Sequence, residues 1–205
     1  MDLDWKQWNR GDIVYGIGVP VIVVLLIVAI SQLSNLLGGG FEGLSGLVIG
    51  ITMEIQELVL IAVVPLLLGL VWNQWAGGAS GFLMGSLYAL YWADSFRSPF
   101  AGAYQGSGTV LLAYLLSAML IGYVAGALNK HSNDFRRMLI SGVVATTIGG
   151  IMLFWVFQLS PANVVTGTDG FLLTVLSRTA CGALIPIIAK VFAWYGIAMN
   201  KSQVV

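Results

Sequence analysis

The chain has little charge, one cysteine and one histidine, and each shortage excludes something. Only 9% of its 205 residues are charged, against roughly a quarter in soluble domains, so water is not its main solvent. Its 9 basic and 9 acidic residues cancel, which leaves no net positive charge to draw nucleic acid. Cys181 is alone and cannot close an internal disulfide; in its apolar surroundings it reads as a small packing residue. His131 falls in a polar connection and reads as solvated. With no histidine in the apolar runs, the Glu-x-x-His pairs of a di-iron bundle, a zinc-protease motif and a haem ligand between helices are all missing. The glycine run Gly38-Gly39-Gly40-Phe41-Glu42-Gly43 lacks the lysine and the preceding strand of a phosphate-binding loop. There is no Ser-Lys or Gly-x-Ser-x-Gly arrangement, and Ser80 has no base nearby in sequence. These gaps predict no catalytic residue, no metal and no cofactor: the chain is not expected to be an enzyme.

What the sequence does hold is hydrocarbon, 58% of its residues. At roughly 20 residues per crossing plus short loops, this length suits about six spans. The expectation is an all-α integral membrane protein, a six-transmembrane-helix bundle forming one domain over residues 1–205. The spans are expected at about 13–36, 44–71, 77–92, 109–128, 138–159 and 171–198. The polar start, with Asp2, Asp4 and Asp12 against Lys6 and Arg10, does not read as a cleaved signal peptide. Gly16, Gly18 and Pro20 break up the first span's first turns. The second span exceeds a straight crossing and should tilt, kink at Pro65 or begin outside the hydrocarbon. Pro186 should bend the sixth.

The chain is organised around Trp72 to Trp92. Gly77, Gly81 and Gly85 recur every fourth residue, with Ala89 next. On a helix they make a stripe without side-chain bulk, where a second helix can approach closely. Ala118, Gly122 and Gly126 form a similar stripe on the fourth span. Trp72, Trp75, Tyr88, Tyr91 and Trp92 bracket the first stripe, as interfacial aromatics do.

Positive charge orients the bundle. With the N-terminus inside, the inner segments hold Lys6, Arg10, Lys130, Arg136, Arg137 and Lys201, with Lys190 near the same level, whereas the outer connections hold only Arg97. By the positive-inside rule both termini are cytoplasmic, in a multi-pass protein of the cell membrane, as in a prokaryotic plasma membrane.

The ionisable residues inside the spans are the sharpest signal. Gly46, Gly50, Glu54 and Glu57 share one helical face. Arg178 sits about two turns into the sixth span. Charge facing lipid is costly, so these side chains should face the bundle interior. Two readings stand side by side: a buried ion pair that tethers helices, and a polar pocket that receives a solute. In the outer connections Asp94 and Arg97 are placed to pair, and Phe96, Phe100, Tyr104 and Gln105 to cover a site with aromatic and polar surface. Asp169 precedes the sixth span and suits its positive N-terminal end.

In layout and glycine texture over about residues 13–198, the chain resembles the substrate-binding S component of an energy-coupling-factor vitamin transporter. The similar parts are the third span, Gly77-Gly78-Ala79-Ser80-Gly81-Phe82-Leu83-Met84-Gly85, and the fourth, Leu116 to Gly126. The resemblance implies a site near the outer face built from spans four to six and the outer loops. Arg97, Tyr104, Gln105, Asp169 and Arg178 match that site in placement, and Trp92 lies beside it. It also implies a coupling subunit and ATPases as membrane partners, since this chain has no nucleotide motif. Those subunits dock through small residues four apart on the first span; here that span carries Gly16, Gly18 and Ala29 without an Ala-x-x-x-Ala. Glu54 and Glu57 fall outside the resemblance.

The expected function is therefore a solute-binding transporter subunit that captures a small, vitamin-like organic molecule from outside. Its substrate-binding residues would be Arg178, Glu54, Glu57, Trp92, Arg97, Tyr104, Gln105 and Asp169. The alternative is a non-catalytic structural subunit of a larger membrane complex, with the glycine stripes as subunit contacts. A third reading is an ion-coupled carrier that uses Glu54 and Glu57 as proton sites.

Overall fold

The computed structural model describes residues 57–95, 108–159 and 167–194, together with Gly18, Val21, Ile22 and Ile55. The expected first span, the start of the second and the connections 96–107 and 160–166 lie outside the described residues. Among the described residues five helices follow in order: α1 Leu58–Val71, α2 Gln74–Ser95, α3 Gly108–Asn129, α4 Phe135–Gln158 and α5 Gly167–Trp194. No strand occurs among the described residues. The helices of the third to sixth predicted spans begin and end within about one turn of expectation.

Local chemistry sets the ends. The Asn73 side chain accepts the Ala76 N–H at 2.7 Å, so α2 begins at Gln74 and the apolar run from Val71 is broken by a short turn. Asp134 does the same for α4, accepting the Arg136 N–H at 3.3 Å. Pro65 does not end α1. A proline lacks an N–H and its ring crowds the carbonyl four residues back; α1 instead opens in a wider π turn over Leu58–Val63 and continues as α-helix from Val64. The helix α5 runs through Pro186, which is buried against α4.

Apolar nearly all round, α1 lies at the centre and packs on each of the other four helices. Successive helices run antiparallel. Along α2 and α3 the pairing descends on one helix as it climbs on the other: Gly85 against Leu115, Gly81 against Ala118, Gly77 against Gly122 and Gln74 against Gly126. A β-carbon at Gly77 or Gly81 would run into the Gly122 or Ala118 carbonyl, and one at Gly69 of α1 into the Gly122 carbonyl. Backbones this close gain dispersion over their whole length and expose Cα–H groups to facing carbonyls. Both small-residue stripes are thus used up inside the chain.

The core has two halves along the bundle. One gathers Leu60, Ile61, Met84, Tyr88, Tyr114 and Leu153; the other gathers Leu66, Leu70, Ile121, Met138 and Ile185. Tyr88, expected at a membrane surface, is instead only 3% exposed and stands edge-on to Tyr114 at 4.9 Å. The pairing of α2 with α3 turns its ring into the bundle. Trp75 is 57% exposed and packs edge-on against Tyr123.

Outward, the bundle shows hydrocarbon. Ile140, Val144, Ile148, Ile151 and Trp155 form an exposed stripe along α4, and Leu172, Leu173, Leu176, Leu184 and Ile187 are exposed on α5. The segments Thr109–Asn129, Phe135–Gln158 and Gly167–Val191 are long and apolar enough to cross a bilayer, with mean hydropathies of 2.0, 2.0 and 1.8. Exposed apolar surface around a buried charged pair is the arrangement a lipid solvent favours.

Candidate polar site inside the bundle

Arg178 lies eleven residues into α5, roughly 16 Å along its axis at 1.5 Å per residue. It is 3% exposed. A small residue makes room for it. Gly150 of α4 faces Val175 and Arg178, and a β-carbon there would lie 3.5 Å from Arg178 Cδ. The guanidinium reaches across the bundle. Nη2 donates to Glu57 Oε1 in an ion pair, and Nη1 donates to the Thr174 carbonyl one turn back at 3.1 Å. The second carboxylate oxygen of Glu57 accepts the Tyr114 hydroxyl at 3.3 Å. Glu57 is partly open, its side chain 22% exposed.

The cluster joins three helices. Glu57 stands just ahead of α1, Tyr114 two turns into α3 and Arg178 near the middle of α5. The other two helices hold Tyr114 in place: its ring meets Tyr88 of α2 and Phe157 of α4 edge-on, the latter at 5.4 Å. A charge-assisted pair with a phenol on its carboxylate is stronger than a neutral hydrogen bond, and low polarity around it strengthens it further. One nitrogen of the guanidinium has no partner at all among the described residues: Arg178 Nε–H is buried and makes no hydrogen bond.

Further along, polar groups tie neighbouring helices singly. Thr147 and Thr179 share a hydrogen bond of 3.0 Å between α4 and α5, and Ser117 donates to the Gly149 carbonyl at 2.9 Å. At the far end of α3, Asn129 donates to the Leu70 carbonyl at 2.9 Å. Asn129 reads in sequence as the first residue of a solvated connection, yet it is fully buried, because α1 ends against it and needs a donor for its last carbonyls.

Of the residues singled out from sequence, the structure brings together Glu57 and Arg178. Asp169 is exposed in the first turn of α5, where it complements the helix dipole, nine residues from Arg178 and outside the cluster. Trp92 lies on α2, but its side chain is outside the described residues, as are Glu54, Arg97, Tyr104 and Gln105. Tyr114 and Thr174 carry no motif; Tyr114 is one of several hydroxyl-bearing residues in the apolar fourth span, and nothing in the sequence sets it apart. Among the described residues no group of three His, Cys, Asp or Glu side chains is placed to hold a metal ion. No protein-family model, curated protein or solved structure matches the chain.

Proposed function

We propose that this chain is a six-span subunit of a cell-membrane transporter, with both termini cytoplasmic. It binds a small organic solute beside Arg178 and leaves energy supply to partner subunits. The observation that carries the reading is the buried cluster of Glu57, Tyr114 and Arg178 with its unspent Nε–H. A buried ion pair is seldom the most stable choice: apolar side chains of the same volume do as well or better. Its retention at depth, next to a donor without an acceptor, suits recognition of a carbonyl or carboxylate on a guest. No catalytic step is assigned to any residue.

A second reading has its own support. Three helices meet at the ion pair, so it also suits a purely structural tie within a subunit of a larger complex. The version of that reading in which the glycine stripes are subunit contacts is disfavoured, since α1, α2 and α3 use them on one another.

The test is solute binding by the purified chain in nanodiscs across a panel of vitamins and their precursors. Saturable binding that Arg178→Gln abolishes, with helical content unchanged by circular dichroism, supports the transporter subunit. Absence of binding across the panel, with co-purification in a defined enzyme complex, supports the structural subunit.

A further inference from the structure

We infer that the turn between α3 and α4, with the end of α5, forms a site for anionic lipid headgroups. The turn is built to hold cations outward. Lys130 and His131 both adopt left-handed backbone, with φ of 48° and 57°, and reverse the chain just past Asn129. Buried Asn129 anchors one side of the turn to α1. Arg137 Nε–H donates to the Leu128 carbonyl at 3.0 Å, and Lys190 Nζ of α5 donates to the Asn133 carbonyl. Three helices therefore fix the turn from below.

Four exposed cations surround it: Lys130, Arg136, Arg137 and Lys190. The carboxylate of Asp134 is occupied with capping α4, and among the described residues none of the four cations has a carboxylate partner. Below them the surface turns apolar at exposed Leu128 and Phe135, 42% and 38% exposed, at the ends of the two hydrophobic segments that flank the turn. Fixed cations above an apolar rim match a phosphodiester headgroup whose acyl chains lie along α3 and α4. A soluble polyanion would leave Leu128 and Phe135 in water. The inference rests on α3 and α4 ending at a bilayer surface and needs no solute at Arg178.

Near an anionic surface each lysine or arginine contributes roughly a five-fold preference. The test is native mass spectrometry of the full chain released from nanodiscs of mixed phosphatidylcholine and phosphatidylglycerol, counting retained lipids. Wild type should retain phosphatidylglycerol in preference, and K130Q/R136Q/K190Q should lower that enrichment by up to about a hundred-fold with circular dichroism unchanged. Because Lys190 also helps pin the turn, K130Q/R136Q alone should lower it as well. Equal retention of the two lipids by wild type overturns the site, as does enrichment that both variants keep. Displacement of phosphatidylglycerol by millimolar inorganic phosphate would also overturn it, since a free-phosphate site needs no acyl chain. Solute binding is read separately, so failure here leaves the reading of Arg178 untouched.

Discussion

The carbonyl of Ala118 stands where a β-carbon on Gly81 would have to go. Gly81→Ala should therefore force α2 off α3 and cost about 2 kcal/mol. Gly78 is one residue off the stripe, and a β-carbon there would meet Tyr123 Cβ at an ordinary 3.5 Å. Gly78→Ala should be neutral or slightly stabilising, because alanine is the better helix former. Thermal unfolding in detergent measures both; equal losses would mean that the stripe is not where the helices touch.

A compensating pair tests the contact between α3 and α4. A β-carbon on Gly149 would overlap the Ile121 side chain. Gly149→Ala should destabilise by about 2 kcal/mol, and Ile121→Ala should lose a similar amount by opening a cavity. Together they should lose less than the sum, with a coupling of about 1 kcal/mol. A double-mutant cycle on denaturant midpoints gives the coupling directly, and strict additivity would contradict the packing.

The ion pair makes a prediction of non-additivity. Arg178→Leu leaves Glu57 without its counter-ion and with only Tyr114 to serve it, and Glu57→Leu leaves a buried guanidinium. Each should cost about 3 kcal/mol. The double variant Glu57→Leu/Arg178→Leu removes both groups and should recover most of that loss in thermal unfolding.

Tyr114 separates its hydroxyl from its ring. Tyr114→Phe gives up one hydrogen bond to Glu57, worth about 1 kcal/mol, and keeps the edge-on contacts with Tyr88 and Phe157. Tyr114→Leu gives up those contacts as well and should lose about 1 kcal/mol more for them. Urea or thermal midpoints in a matched detergent would rank the three proteins.

Much of this architecture was legible in the chain as written. Helix positions were readable because hydropathy acts over a few residues; the starts of α2 and α4 lie about a turn earlier than expected, where Asn73 and Asp134 each bond a backbone N–H two or three residues on. The inward turn of Glu57 and Arg178 was readable because charge facing hydrocarbon is costly wherever it occurs. The place of Tyr88 was misread. An aromatic near the end of an apolar run suits a membrane surface and a packed core equally, and only the rotation of α2 against α3 separates them.

The amino-acid sequence by itself determined that this protein is helical, that its long helices are apolar, and that its stripes of small residues allow backbones to meet. Those properties follow from residues close together along the chain. Tertiary structure alone decided which partners those surfaces take. Arg178 finds Glu57 across 121 residues of chain, Tyr114 joins them from a third helix, and Asn129 is buried because α1 happens to end beside it. Such pairings depend on the register and rotation of whole helices, which are set by how all their faces pack at once and by no local signal.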